Sequence, residues 1–283
     1  SPYAFSENEV VAFVELEGLE KASPEEKQSA LQQIDNFAGR TEGQVFSQIS
    51  RSDYAKDLER LVKNPERIDQ AQTDLCGIAA ASKCALEREP LKFVEVATAL
   101  YEKGEYHSGD VSVYSNKKLH NSSPTNGLSP VEYVTMVSLR HSANYIFGYD
   151  PNWEGIVPFV DLNGISGFTY PEDIDWISGE IFGLQRTGER DLEEVLQPDV
   201  GFIQSKINEG STVIAIVNMN SFTSVGNAFP VDFPTHYLEI EKLEYNSNGK
   251  YSLTYWSWGR SYTLRDVTQF HLTNTIWRLK AYY

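Results

Sequence analysis

The chain has 283 residues, 41% hydrophobic and 23% charged, the proportions of a globular protein long enough for one large domain or two small ones. Its formal net charge of −16 opposes binding to phosphate backbones or anionic lipid, which need clustered Lys and Arg, so nucleic acid is not an expected partner. No run of about 18 apolar residues is present, and no membrane insertion is expected.

The chain starts at Ser1 without Met and places Glu7, Glu9 and Glu15 where a signal sequence would be basic and then apolar, so a trimmed or processed start is expected. Residues up to about 70 read as helical. Ser23-Pro24-Glu25-Glu26 offers an N-cap, a first-turn proline and favourable acids, and Tyr54 to Val62 forms a second amphipathic segment. A third helix is predicted to begin at Leu75, capped by Asp74, and to carry Cys76 and Cys84. A fourth runs from Pro90 to Tyr101. Asn121 to Pro130 is rich in turn formers and predicts an exposed loop, followed by a capped helix to Ser142. Residues 144–170 are aromatic and punctuated by Gly and Pro, and Tyr170-Pro171-Glu172-Asp173 opens another helical piece.

From Ser211 the period changes. Thr212 to Val217 is a near-continuous β-branched run, the pattern of a strand buried on both faces. A loop with Gly226 and Pro230 leads to Tyr237–Tyr245, the turn 246–249 and Tyr251–Trp258, which together predict a β-hairpin. A last strand is predicted from Thr273 to Leu279. Helices first and strands second, without alternation, make the class α+β, one domain with two lobes.

Cys76 and Cys84 lie eight positions apart on one helix, where about 12 Å of rise prevents a disulfide. Two free thiols suit a reducing cytosol. His107, His120, His141, His236 and His271 lack the short spacing of a metal site, so neither a metal nor a cofactor is expected. Cys76 carries the sharper reading. A thiol in the first turn of a helix sits near unpaired N–H groups and the positive dipole end, which favour the thiolate, and a nearby imidazolium adds to this. Gly77 leaves room for close approach, Gln70 has a carboxamide to donate to an oxyanion, and His236 enters a strand.

Gln70 six residues before Cys76, the helix of small residues that Cys76 opens, and the later order of His236, hairpin and Ser257-Trp258-Gly259 resemble the papain-like cysteine peptidase superfamily. The stretch from Gln70 to Ala80 is also similar to the peptidase domains of bacteriocin-processing ABC transporters, although here the Asp lies one position further away, at Asp74. The resemblance implies a two-lobed α+β fold in which residues 67–283 form the thiol hydrolase domain, with an insertion-like segment around 102–200. Residues 1–66 are a helical extension. It further implies Cys76 as nucleophile, His236 as general acid/base and Gln70 as oxyanion donor, acting on a protein or peptide amide. The Asn that orients the His in that family is replaced by Trp256, whose indole N–H cannot accept the imidazole hydrogen bond. Ser257, a backbone carbonyl, an unoriented dyad or an inactive relative remain as alternatives. Trp258 would shield the His from water. Some bacterial toxins and effectors place such a core in a larger acidic chain, which implies delivery into another cell and an inhibitor or immunity partner.

Two other readings stand beside it. The same site would serve a deamidase or transglutaminase. A non-catalytic binding protein would instead use the aromatic middle, Tyr145 to Tyr170, as a recognition surface. Cys84 reads as an ordinary core residue, and the acids at 172–175 and 189–194 as solvated or helix-start charges.

Overall fold

The computed structural model describes residues 21–143, 169–190, 200–225 and 235–283. The expected features at Glu7, Glu9 and Glu15, the aromatic segment before Thr169 and the loop with Gly226 and Pro230 lie outside the described residues.

The helical half begins with α1 (Pro24–Ala38), and its start is explained locally. Ser23 Oγ accepts from the Glu26 N–H, the Glu26 carboxylate accepts from the Ser23 N–H, and Pro24 occupies the first turn. The amphipathic segment forms α2 (Arg51–Lys63), burying Tyr54, Leu58, Leu61 and Val62. Next come α3 (Cys76–Arg88) and α4 (Pro90–Lys103). Every residue of α3 from Gly77 to Arg88 is buried, so this is the central helix of the core and not an amphipathic surface helix. The helices of residues 24–63 pack into the same apolar core as α3.

A short hairpin of β1 (Glu105–Ser108) and β2 (Val111–Tyr114) interrupts this half. The helix expected before Ser142 forms as a π-helical turn, Glu132–Met136, running into α5 (Val137–Ala143). The piece expected after Tyr170 is α6 (Pro171–Asp175), continued by a second π-helical turn, Trp176–Ile181.

The remaining elements are β3 (Arg186–Arg190), α7 (Val200–Asn208), β4 (Thr212–Val217), α8 (Met219–Thr223), β5 (His236–Tyr245), β6 (Tyr251–Ser257), β7 (Arg260–Val267), α9 (Gln269–Thr275) and β8 (Ile276–Tyr282). Six strands build one antiparallel sheet in the order β3-β8-β4-β5-β6-β7. As its composition predicts, β4 is buried at every position. The β5–β6 hairpin forms where the turn at 246–249 was read. The strand expected over 273–279 is corrected: Thr268 Oγ1 accepts from the His271 N–H and starts α9, so the chain becomes extended only at Ile276. Helices and strands are also less segregated than the sequence suggests, since α7, α8 and α9 fall between strands.

Alternation gives the sheet two apolar faces. Ile214, Ile216, Tyr237, Trp256 and Tyr282 join the core around α3. Val213, Ala215, Leu238, Ile240, Leu253 and Leu279 join a second core with Ile203 of α7, Phe222 of α8 and Leu272 of α9. The sheet is thus covered by helices on both faces, with helices dominating the first half of the chain and the sheet the second.

Candidate functional site

Cys76 is the first residue of α3, and its N-cap is Leu75, which gives no side-chain cap. The expected Asp74 cap therefore does not form. Asp74 is exposed and acts on Cys76 as a neighbouring negative charge that disfavours the thiolate.

The loop ahead of Cys76 is held from below. Buried Glu132 accepts from the Asp69 N–H at 2.8 Å and the Ser129 N–H at 2.7 Å. Within the loop, Gln70 Nε2 donates to the Thr73 carbonyl at 2.8 Å and Thr73 Oγ1 donates to the Gln70 carbonyl at 2.6 Å. Gln70 is thereby buried, with its carboxamide engaged inside its own turn. Between them Ala71 takes a left-handed φ of 51°, strain that a non-glycine residue holds only where its surroundings impose it.

His236 is the first residue of β5, paired with Val217 of β4. Its Nε2 lies 2.6 Å from Ser257 Oγ, and the Trp258 indole stacks on the ring at 4.2 Å and 14°. Trp258 and Gly259 form the two-residue turn between β6 and β7, with φ of 47° and 67°. This left-handed pair matches the twist of the flanking strands. At Gly259 a Cβ would lie 3.3 Å from the Asp69 side chain, so the tip of the His hairpin meets the loop that leads to Cys76. Trp256 does not replace the orienting Asn in role. It joins the core around α3, and its indole N–H donates to the carbonyl of Glu66, in the turn that follows α2, at 2.8 Å.

The Cys76 sulfur meets the strand at the residue after His236. There the backbone N–H groups of Tyr237 and Gly77 favour the thiolate and oppose the effect of burial. Among the described residues no hydrogen bond joins the thiol to the His236 imidazole. Burial pushes the Cys76 pKa up to about 11 despite the N–H groups, and Asp74 adds to the rise. Burial pushes His236 down to about 4. At neutral pH the pair is therefore an uncharged thiol beside an uncharged imidazole, not the thiolate that the helix position predicts. Desolvation outweighs the helix dipole here, which is worth only about 0.3–2 kcal/mol.

Two further features adjoin the site without any sequence motif to announce them. Thr169 packs directly on Gly77, and the Tyr237 hydroxyl donates to the Thr169 carbonyl at 2.6 Å. Cys84, two turns further along α3, is fully buried core, as read. A cavity of about 580 Å³ lies at the opposite end of α3, lined by Lys21, Glu26, Arg88 and Glu89 among others, with both signs of charge and no link to Cys76. No protein-family model and no curated protein matches the chain.

Proposed function

We propose that this chain is a papain-like thiol hydrolase that cleaves an amide bond in a protein or peptide, with Cys76 as nucleophile and His236 as acid–base partner. The observation that carries the reading is the His236 environment: one ring nitrogen held by Ser257, the ring face covered by Trp258, and Cys76 close to Tyr237, the next residue of the strand. Ser257 takes over the orienting part left open by Trp256, and it leaves Nδ1 as the nitrogen for the reaction.

Because both groups rest uncharged, proton transfer accompanies attack. His236 takes the thiol proton as the sulfur–carbon bond forms, then gives it to the leaving nitrogen. Water, with His236 as base, next opens the thioester. Applied to a Gln side chain, the same steps release ammonia, or join an amine in place of water. Delivery as a bacterial toxin or effector, with an inhibitor or immunity partner, belongs to the same proposal.

A second reading, a binding protein that has kept the arrangement without the reaction, is favoured by the raised thiol pKa, the lowered imidazole pKa and the missing thiol–imidazole hydrogen bond. A burst of p-nitrophenolate from p-nitrophenyl acetate at pH 7.5 separates the two. For a hydrolase it is expected from the parent and from Cys84→Ala, absent from Cys76→Ala, and reduced about tenfold or more in His236→Ala and Ser257→Ala. Acetylation of the parent no faster than a free thiol supports the binding reading.

A further inference from the structure

We propose that Thr169 is a catalytic residue, whose hydroxyl donates, together with the Cys76 N–H, to the oxyanion that forms when Cys76 attacks an acyl carbonyl. This rests on the thiol hydrolase reading and gives Thr169 the donor role expected of Gln70.

Thr169 is 1% exposed, and its Oγ1 is buried without a hydrogen-bond partner among the described residues. Native structures rarely leave such a group unsatisfied, because its desolvation goes unrecovered. Its location makes the vacancy informative. Thr169 lies on the first turn of α3, over Gly77, and a Cβ at Gly77 would sit 2.7 Å from Thr169 Cβ and 2.9 Å from both Cγ2 and Oγ1. Only glycine at position 77 lets the hydroxyl come this close to the turn that carries the nucleophile. The first-turn N–H groups, that of Cys76 among them, have no carbonyl of their own helix to bond. The helix end and the hydroxyl therefore lie together at the turn that carries the thiol, and among the described residues no acceptor meets Oγ1.

The surroundings hold Thr169 in place. Its carbonyl accepts the Tyr237 hydroxyl at 2.6 Å, fixing it to the strand that carries His236. The next residue, Tyr170, donates its N–H to Asp173 at 2.9 Å, and Asp173 is paired with buried Arg140 at 3.0 Å. By contrast Gln70 Nε2 is bonded to the Thr73 carbonyl.

In the acyl-transfer step the Cys76 sulfur bonds to the carbonyl carbon and the thiol proton passes to His236. The carbonyl π pair moves to oxygen, which becomes the oxyanion. The hydroxyl rotor of Thr169 is free to turn its hydrogen toward that oxygen. Collapse restores the carbonyl and expels the leaving group, and water releases the acid from the thioester.

Two reagents test the donor separately from the nucleophile. p-Nitrophenyl acetate acylates Cys76 through an oxyanion, whereas iodoacetamide alkylates it by displacement at a saturated carbon and forms none. Thr169→Val is expected to slow acetylation of Cys76 by about a hundredfold to a thousandfold, the range for loss of one such donor, and to leave alkylation at pH 10 within about twofold of the parent. Thr169→Ser is expected to restore acetylation. The proposal is overturned if Thr169→Val acetylates at the parent rate, or if acetylation and alkylation fall together, which marks a packing role. If the parent itself acetylates no faster than a free thiol while alkylating normally at pH 10, the hydrolase reading fails and the donor role with it.

Discussion

Burial governs the chemistry of both Cys76 and His236, and it acts on them in opposite directions. The His236 pKa is pushed down to about 4, so the folded protein resists protonation that the unfolded chain accepts near the ordinary value of about 6.5. The associated stability is complete above that ordinary value and is lost as pH falls through the folded one, amounting to about 3 kcal/mol. Denaturant midpoints are expected to drop steeply between pH 6.5 and 4 in the parent and much less in His236→Gln, a variant with no imidazole to charge. A flat profile in the parent would contradict the burial of the ring. The residues legible in sequence were those with local signals: Cys76 after a turn, Gly77 beside it, and His236 before a hairpin. Desolvation was not legible, because it depends on what packs over a residue. Nor was the unpartnered hydroxyl of Thr169, which comes to Gly77 only through the tertiary fold.

Between elements, the join of α3 to β5 sets where the thiol and imidazole stand. Lys83, fully buried on α3, bonds Glu87 of its own helix and Glu239 of β5, each at 2.8 Å, and approaches Glu241 at 3.7 Å. It also lies 5.6 Å from the Trp256 ring centroid. Burial works against the lysine's charge, but Glu239 and Glu87 outweigh it and hold the ammonium above its ordinary pKa. Lys83→Ala strands Glu239 without its cation, and breaking a buried pair from one side typically costs about 3–5 kcal/mol. Equilibrium unfolding of this variant should show a loss of that order, whereas a loss under about 1 kcal/mol would mean that water reaches Glu239. Starts of helices were readable because Ser23 and Pro24 act over one turn. The β-branched run of β4 and the turn at 246–249 were readable for the same reason. By contrast, α9 was missed because the cap at Thr268 competes with a strand pattern that continues past it.

Across the whole molecule, the strand order decides what the sheet can lose. β8, although it follows the other strands in sequence, lies between β3 and β4. It pairs with β4 from Thr212↔Tyr282 to Val217↔Ile276. Deleting residues 276–283 removes the ladders on both sides and opens the second core at Ile276, Leu279 and Ala281. The shortened chain is expected to show no cooperative thermal transition by circular dichroism, and a retained transition would show that β3 closes on β4 directly. The sequence revealed the neighbours joined by short turns, β5 with β6. It did not reveal β3-β8-β4, because pairing between distant segments leaves no periodic trace in either one.

The contact between Lys83 and Glu239 also spans 156 residues of chain, and this has a meaning in time. At synthesis rates of about 5–20 residues per second, a growing chain carries a finished Cys76 helix for roughly 10–30 s before the matching acid of β5 exists. Until then Lys83 has no sheet to enter, and the thiol has neither its imidazole nor its covering strand. The packing that brings Cys76 against the strand of His236 therefore forms only after most of the chain has been made.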